Sequence, residues 1–147
     1  MVQSISSNAR SILIVEDEAI VRFNLADFFE QAGYHVTEAD SADEAIVILN
    51  RDSSIGVVLT DVHMPGSMDG LKLAHYVRNR FPPTVLVVTS GESNPRQADL
   101  PTDSVFVPKP FDPQLVLDQI KRMSAWKPSA AGCETLAIGE QCLPSIS

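Results

Sequence analysis

The sequence predicts an α/β domain built on a five-stranded parallel sheet with helices on both faces. Three observations lead there. Short runs that are apolar almost without interruption and rich in β-branched residues recur along the chain, as strands buried on both faces must be, with one weakly alternating run among them. Segments of helical periodicity alternate with them, which implies right-handed crossovers and strands that all point the same way. The inner runs each stop at residues that can carry chemistry, and in open sheets of this class ligands bind beyond the carboxyl ends of the strands.

The elements follow in order. Ser11–Val15 (S-I-L-I-V) reads as the first strand and stops at Glu16-Asp17-Glu18. Ile20, Val21, Leu25, Phe28, Phe29 and Ala32 then recur at helical spacing before Gly33, so a helix is expected over Glu18–Ala32. Tyr34–Ala39 alternates weakly and reads as a second strand nearer the sheet edge. Ser41-Ala42-Asp43-Glu44 has capping-box form and opens a helix over Ala42–Asn50. Gly56–Thr60 is the third strand; it runs into Asp61 and a Pro/Gly-rich loop. A helix from Leu71 to about Arg80, with Leu71, Ala74 and Val77 inward, ends at Pro82-Pro83. Thr84–Thr89 is the fourth strand and Ser104–Val107 the fifth. Between them Pro95 and Pro101 leave Gly91–Asp103 room for only a short or irregular fourth helix. Asp112-Pro113, an N-cap followed by proline at the first helical position, starts the last helix, which runs to about Ser124 with Leu115, Ile120 and Met123 inward.

The chain of 147 residues fits one domain, residues 11–124, with a flexible N-terminal segment at 1–10 and a flexible tail at 125–147. A net charge of -8 disfavours a nucleic-acid surface and suits a protein that holds a cation. No apolar run approaches the roughly 18 residues that cross a bilayer, and Met1–Ser11 lacks the apolar block of a signal peptide, so a cytoplasmic protein is expected. Cys133 and Cys142 both lie in the tail without zinc-site spacing and read as reduced thiols. There is no glycine-rich phosphate loop, which lowers the prospect of a nucleotide enzyme.

Aligning the strand ends brings Glu16-Asp17, Asp61, Thr89-Ser90 and Lys109 to one rim. Each has an ordinary explanation when taken singly: acidic residues in a first helical turn, a surface lysine, a strand threonine. Together they describe carboxylates that repel, so a positive group must sit among them or one must take a proton. Mg²⁺, a small cation preferring octahedral oxygen coordination, suits such a donor set, and Lys109 suits an incoming anion.

The combination V-E-D-E (Val15–Glu18), L-T-D-V-H-M-P (Leu59–Pro65), M-D-G (Met68–Gly70), V-T-S (Val88–Ser90) and V-P-K-P-F (Val107–Phe111) resembles the receiver domain of two-component response regulators over about Ile12–Ser124. The resemblance implies a doubly wound, flavodoxin-like fold of strand order 2-1-3-4-5. It implies Asp61 as phosphoacceptor for the phosphohistidine of a histidine kinase or histidine phosphotransfer protein. Mg²⁺ is then held by Glu16, through water, by Asp17 and Asp61, and by the backbone carbonyl of His63. Thr89 and Lys109 become the groups that meet the phosphoryl oxygens, Thr89 and Phe106 the switch pair, and Lys109-Pro110 a cis bond. Such a protein catalyses its own phosphotransfer and slow self-dephosphorylation without being an enzyme on another substrate. Its expected partners are the kinase and a downstream protein, with neither nucleic acid nor membrane. With no effector domain following, a stand-alone receiver is expected.

Three places depart from the family pattern. Gly66-Ser67 lengthens the loop after Pro65 by one residue, Phe106 lacks a hydroxyl, and the proline-broken 91–103 segment lies where the family signals. The competing function is a Mg²⁺-dependent phosphatase or hydrolase with an aspartyl nucleophile. That chemistry resembles an Asp-x-Asp arrangement, and His63 stands where its second acid belongs.

Overall fold

The five expected runs do become five parallel strands: β1 (Ser11–Val15), β2 (His35–Ala39), β3 (Val57–Asp61), β4 (Val85–Ser90) and β5 (Ser104–Pro108), in the order β2-β1-β3-β4-β5. Helices α1 (Ala19–Gln31), α2 (Ala42–Arg51), α3 (Gly70–Arg80) and α4 (Pro113–Trp126) cover the sheet. The computed structural model describes residues 11–64, 68–91 and 99–126, with side chains of 124–126 excepted. The N-terminal segment, the lengthened loop at Gly66-Ser67, most of the proline-broken stretch and residues 127–147 therefore lie outside the described residues.

The strands need apolar residues at every position because they feed two cores. Leu13, Val15, Val58, Leu86 and Val88 meet α2 and α3 on one face. Their neighbours Ile12, Ile14, Leu59, Val85 and Val87 meet α1 and α4 on the other. Side chains alternate along a strand with period two, so an uninterrupted run is what a doubly covered sheet selects. β2, at the edge, is mostly exposed or half-buried, as its weak alternation indicates.

Boundaries differ from expectation by a residue or two, and two of the differences matter. β3 ends on Asp61 itself, which pairs in register with Thr89 of β4, so the carboxylate stands on the rigid strand rather than in the loop. Tyr34 is outside β2, buried, with its ring edge-on to Phe29 at 5.5 Å.

Three helical faces also differ. Ile20, counted in the apolar periodicity, is 77% exposed, and Leu115, expected inward, is 46% exposed. At about 100° per residue, Ile20 lies on the opposite side of α1 from Leu25 and Phe29, and Leu115 opposite Leu117 of α4. The stripes that face the sheet are Leu25, Ala26 and Phe29 on α1, and Val116, Leu117 and Ile120 on α4. On α3 the buried set is Gly70, Leu73, Ala74 and Val77, with Leu71 only half-buried.

The capping box at α2 forms with a small variation. Ser41 Oγ accepts from the Glu44 amide at 3.1 Å, while Glu44 Oε1 accepts from the amide of Asp40, not Ser41, at 2.8 Å. At the far end of α3, Arg78 donates to the carbonyls of Thr102 (2.8 Å), Thr84 (3.0 Å), Asp103 (3.1 Å) and Pro82. One guanidinium thereby ties the approaches to β4 and β5 together, which a lysine with a single point of donation could not do.

Candidate functional site

The parallel register sets the rim. Val15 pairs with Thr60, Asp61 with Thr89, and Ser90 with Pro108, so the residues that follow β1, β3, β4 and β5 emerge side by side. Backbone bonds fix the exits: Glu16 N to Ala39 O at 3.0 Å, Val62 N to Thr89 O at 2.8 Å, and Lys109 N to Ser90 O at 2.9 Å. The Lys109–Pro110 bond is cis.

Glu16, Asp17 and Asp61 each place a carboxylate oxygen within 4.8 Å of the others. Lys109 Nζ donates to Glu16 Oε1 at 2.8 Å and to Asp61 Oδ2 at 3.2 Å. Glu16 is 2% and Asp61 8% exposed, whereas Asp17 faces solvent. Two carboxylates thus share one ammonium, with a third beside them. Burial pushes the Glu16 carboxyl above its usual range; the Lys109 hydrogen bond works against that and the charge of Asp61 adds to it. For Lys109, burial alone would depress the pKa, but the hydrogen bonds and charges of Glu16 and Asp61 outweigh it and the net shift is upward. A Glu16–Asp61 repulsion of about 3 kcal/mol, at an effective dielectric near 20, is met by the shared lysine. The charge of Asp17 has no ion-pair partner among the described residues, and this leaves the cluster short of positive charge. Hard oxygen donors with an excess of negative charge fit a small divalent cation.

Asp17, Asp61 and Lys109 line a cleft of about 530 Å³ together with Glu18, His63, Met64, Asp69 and Gly91, with Glu16 buried behind them. The His63 amide lies 3.4 Å from Asp61 Oδ1, and its side chain is exposed at the mouth. Thr89 is buried beside the cleft rather than lining it, its hydroxyl donating to the Thr60 carbonyl at 3.5 Å. Phe106 is half-buried against the core shared by α2 and α3. Lys109, Glu16, Asp17, Asp61 and His63 therefore converge, while Thr89 and Phe106 stand one layer away.

Three contributors escaped sequence reasoning. Arg22 donates to the Glu16 carbonyl at 2.8 Å and to Glu38 Oε1 at 3.1 Å, holding the turn that presents the acids. Asp69 caps α3 by accepting from the Lys72 amide at 2.9 Å and adds a further acid to the cleft. Gly70 packs so closely on Asp61 that an added Cβ would lie 1.8 Å from the Asp61 carbonyl oxygen. Asp-Gly at a helix start was a visible clue to the last two; nothing local marked Arg22.

A family model described as the response regulator receiver domain matches residues 12–121. The transcriptional regulatory protein ResD of Bacillus subtilis (strain 168) is 32% identical over 120 residues, 80% of this chain and 49% of that protein. The response regulator receiver protein CpdR of Brucella abortus (strain 2308) is 32% identical over 118 residues, 78% of this chain and 96% of that one. Among solved structures, a response regulator receiver protein from Sinorhizobium medicae WSM419 aligns with a TM-score of 0.75 at 28% identity, covering 80% of this chain and 96% of its own. The chain spans about half the length of ResD and nearly all of CpdR.

Proposed function

The chain belongs to the response regulator receiver domain family, and from that premise we propose that it accepts a phosphoryl group on Asp61 from a protein phosphohistidine and thereby switches a protein-binding surface. The observation that carries this reading is the rim itself: a buried nucleophilic carboxylate on a strand end, flanked by two further acids and by Lys109 at 3.2 Å.

An oxygen of the Asp61 carboxylate attacks phosphorus in line. The new O–P bond forms as the P–N bond to the donor imidazole breaks, its electron pair leaves on nitrogen, and that nitrogen takes up a proton. Glu16, Asp17, Asp61 and the His63 carbonyl would hold Mg²⁺, which neutralises charge on the equatorial phosphoryl oxygens when bound. Lys109, already donating to Asp61, is placed to meet another of those oxygens. The same groups position water for the protein's own slow dephosphorylation, so no separate substrate is involved.

Among the described residues the Thr89 hydroxyl is held by a single 3.5 Å bond to Thr60, at the limit of useful geometry. Exchanging it for a charged phosphoryl acceptor costs little and gains a charge-assisted bond. The movement frees space that half-buried Phe106 can enter by packing alone, which changes the β4–β5 face. Among the described residues no helix is long and apolar enough to cross a membrane.

A protein donor also needs a seat near the rim. Ile20 and Phe23, 77% and 68% exposed, lie together on the outward side of α1, just beyond Asp17. Burying two such side chains is worth about 3 kcal/mol. Ile20→Asp with Phe23→Asp should therefore slow transfer from a phosphohistidine protein roughly 100-fold and leave uptake from acetyl phosphate unchanged. Equal losses with both donors would point to damage at the rim instead.

The reading is tested with beryllofluoride and amide NMR. With Mg²⁺ present one equivalent should bind, shifting the amides of Thr89, Phe106 and Lys109, and without Mg²⁺ none should bind. Binding that ignores Mg²⁺, or that leaves those amides in place, overturns it.

A further inference from the structure

A second cleft, of about 750 Å³, opens at the opposite end of the sheet, where β4 and β5 begin. Its walls are apolar at Pro82, Val85, Val105 and Met123, with Arg122 exposed among them. Arg78 also borders it, but its guanidinium is engaged by four backbone carbonyls and has little left for a ligand.

We propose that this cleft is occupied by the chain's own tail, through Leu136-Ala137-Ile138. Connectivity comes first. The second half of α4 supplies Gln119, Arg122 and Met123 to the cleft, and Trp126, the last described residue, lies about 6 Å along the helix axis beyond Arg122. Pro128 follows in the sequence, and the residue before a proline disfavours the α region. Ser129-Ala130-Ala131-Gly132 offers small side chains and a glycine for reversal. The ten residues from Trp126 to Leu136 reach up to about 33 Å when extended, several times what the return requires.

Composition supplies the rest. Leu136-Ala137-Ile138 is an apolar triplet flanked by Glu134 and Glu140, while residues 127–147 contain one lysine and no arginine. The acids match Arg122, which has no ion pair among the described residues. A tethered segment acts at an effective concentration in the millimolar range, so a contact too weak to hold a free peptide still fills the cleft. Docking there leaves the Asp61 rim open.

The test uses the full chain with Cys142→Ser, labelled with nitrogen-15 and carrying a nitroxide on Cys133. Amides of Val105, Gln119 and Met123 should lose most of their intensity while those of Asp61, Thr89 and Lys109 keep theirs. Adding Leu136→Asp and Ile138→Asp should restore the lost intensity. Broadening that is spread evenly, gathers at Ile20 and Phe23, or survives the double substitution overturns the proposal. A mixture of nitroxide-bearing unlabelled chain with nitroxide-free labelled chain should show no broadening; broadening there would put a second copy's tail in the cleft and refute the intrachain contact.

Discussion

Asp61→Asn should abolish phosphoryl uptake from acetyl phosphate and leave the chain folded. The amide has no anionic oxygen to form the acyl phosphate, and no neighbour replaces it. Glu16 is buried, with one oxygen on Lys109 and the other 3.2 Å from the Glu18 amide, and Asp17 is exposed to solvent without the lysine contact that Asp61 has. Stability should change little, by about 1 kcal/mol in either direction. Lys109 loses one partner but keeps Glu16 at 2.8 Å, and Glu16 is relieved of a like charge that raises its pKa. Intact-mass measurement after incubation with acetyl phosphate and Mg²⁺, beside urea unfolding, checks both halves. A variant that still gains a phosphoryl group places the nucleophile elsewhere; one that is unfolded shows the carboxylate to be structural.

Gly70→Ala should be costly far beyond one methyl group. Its Cβ would meet the Asp61 carbonyl oxygen at 1.8 Å, the Asp61 carbonyl carbon at 2.7 Å and Val62 Cα at 2.9 Å, all backbone atoms that cannot rotate aside. Either the start of α3 lifts, breaking the Gly70 N to Val62 O bond of 2.9 Å, or the end of β3 moves. Overpacking of this kind costs about 3 kcal/mol, read as a lower urea midpoint with unchanged slope. Displacing the strand end also moves Asp61 relative to Glu16 and Lys109, so uptake in the remaining folded protein should fall roughly 100-fold, as misplacement of a reacting group by about 1 Å does. A variant with wild-type stability and uptake would mean that the close approach is not part of how the site is positioned. Gly91→Ala is the control, since its Cβ would make only ordinary contact at 3.5 Å with Lys109 Cβ.

The strands and their order of chemistry could be read because each depends on local pattern. An apolar run of five residues that stops at Asp61 announces both a doubly buried strand and its rim, and the parallel topology does the rest. The capping box at Ser41 and the N-terminal boundary of α4 at Pro113 were legible for the same reason, as short-range rules with a geometric cause. Helix faces were less so. The run from Ile20 to Phe29 holds more apolar residues than one face can bury, and the sequence does not say that Leu25 and Phe29 win while Ile20 and Phe23 are left outside. Arg78 was illegible because its acceptors at Pro82, Thr84, Thr102 and Asp103 are carbonyls, which any residue could offer. Gly70 carried the right residue type at the right helix start, but the reason for it, an approach to Asp61, exists only across the fold. Thr89 was expected among the groups at the rim and Phe106 as its switch partner, and the coordinates place both outside the residues that line the cleft, a depth that no local pattern encodes.

Borohydride trapping tests the central claim most directly. Reduction of an acyl phosphate on aspartate leaves homoserine, so the chain is phosphorylated by a phosphohistidine donor with Mg²⁺, reduced, digested and sequenced by mass spectrometry. The account predicts homoserine at residue 61 alone, and none when Mg²⁺ is withheld. Reduction product at Asp17 or Asp69, or a phosphoryl group retained on His63, would contradict it.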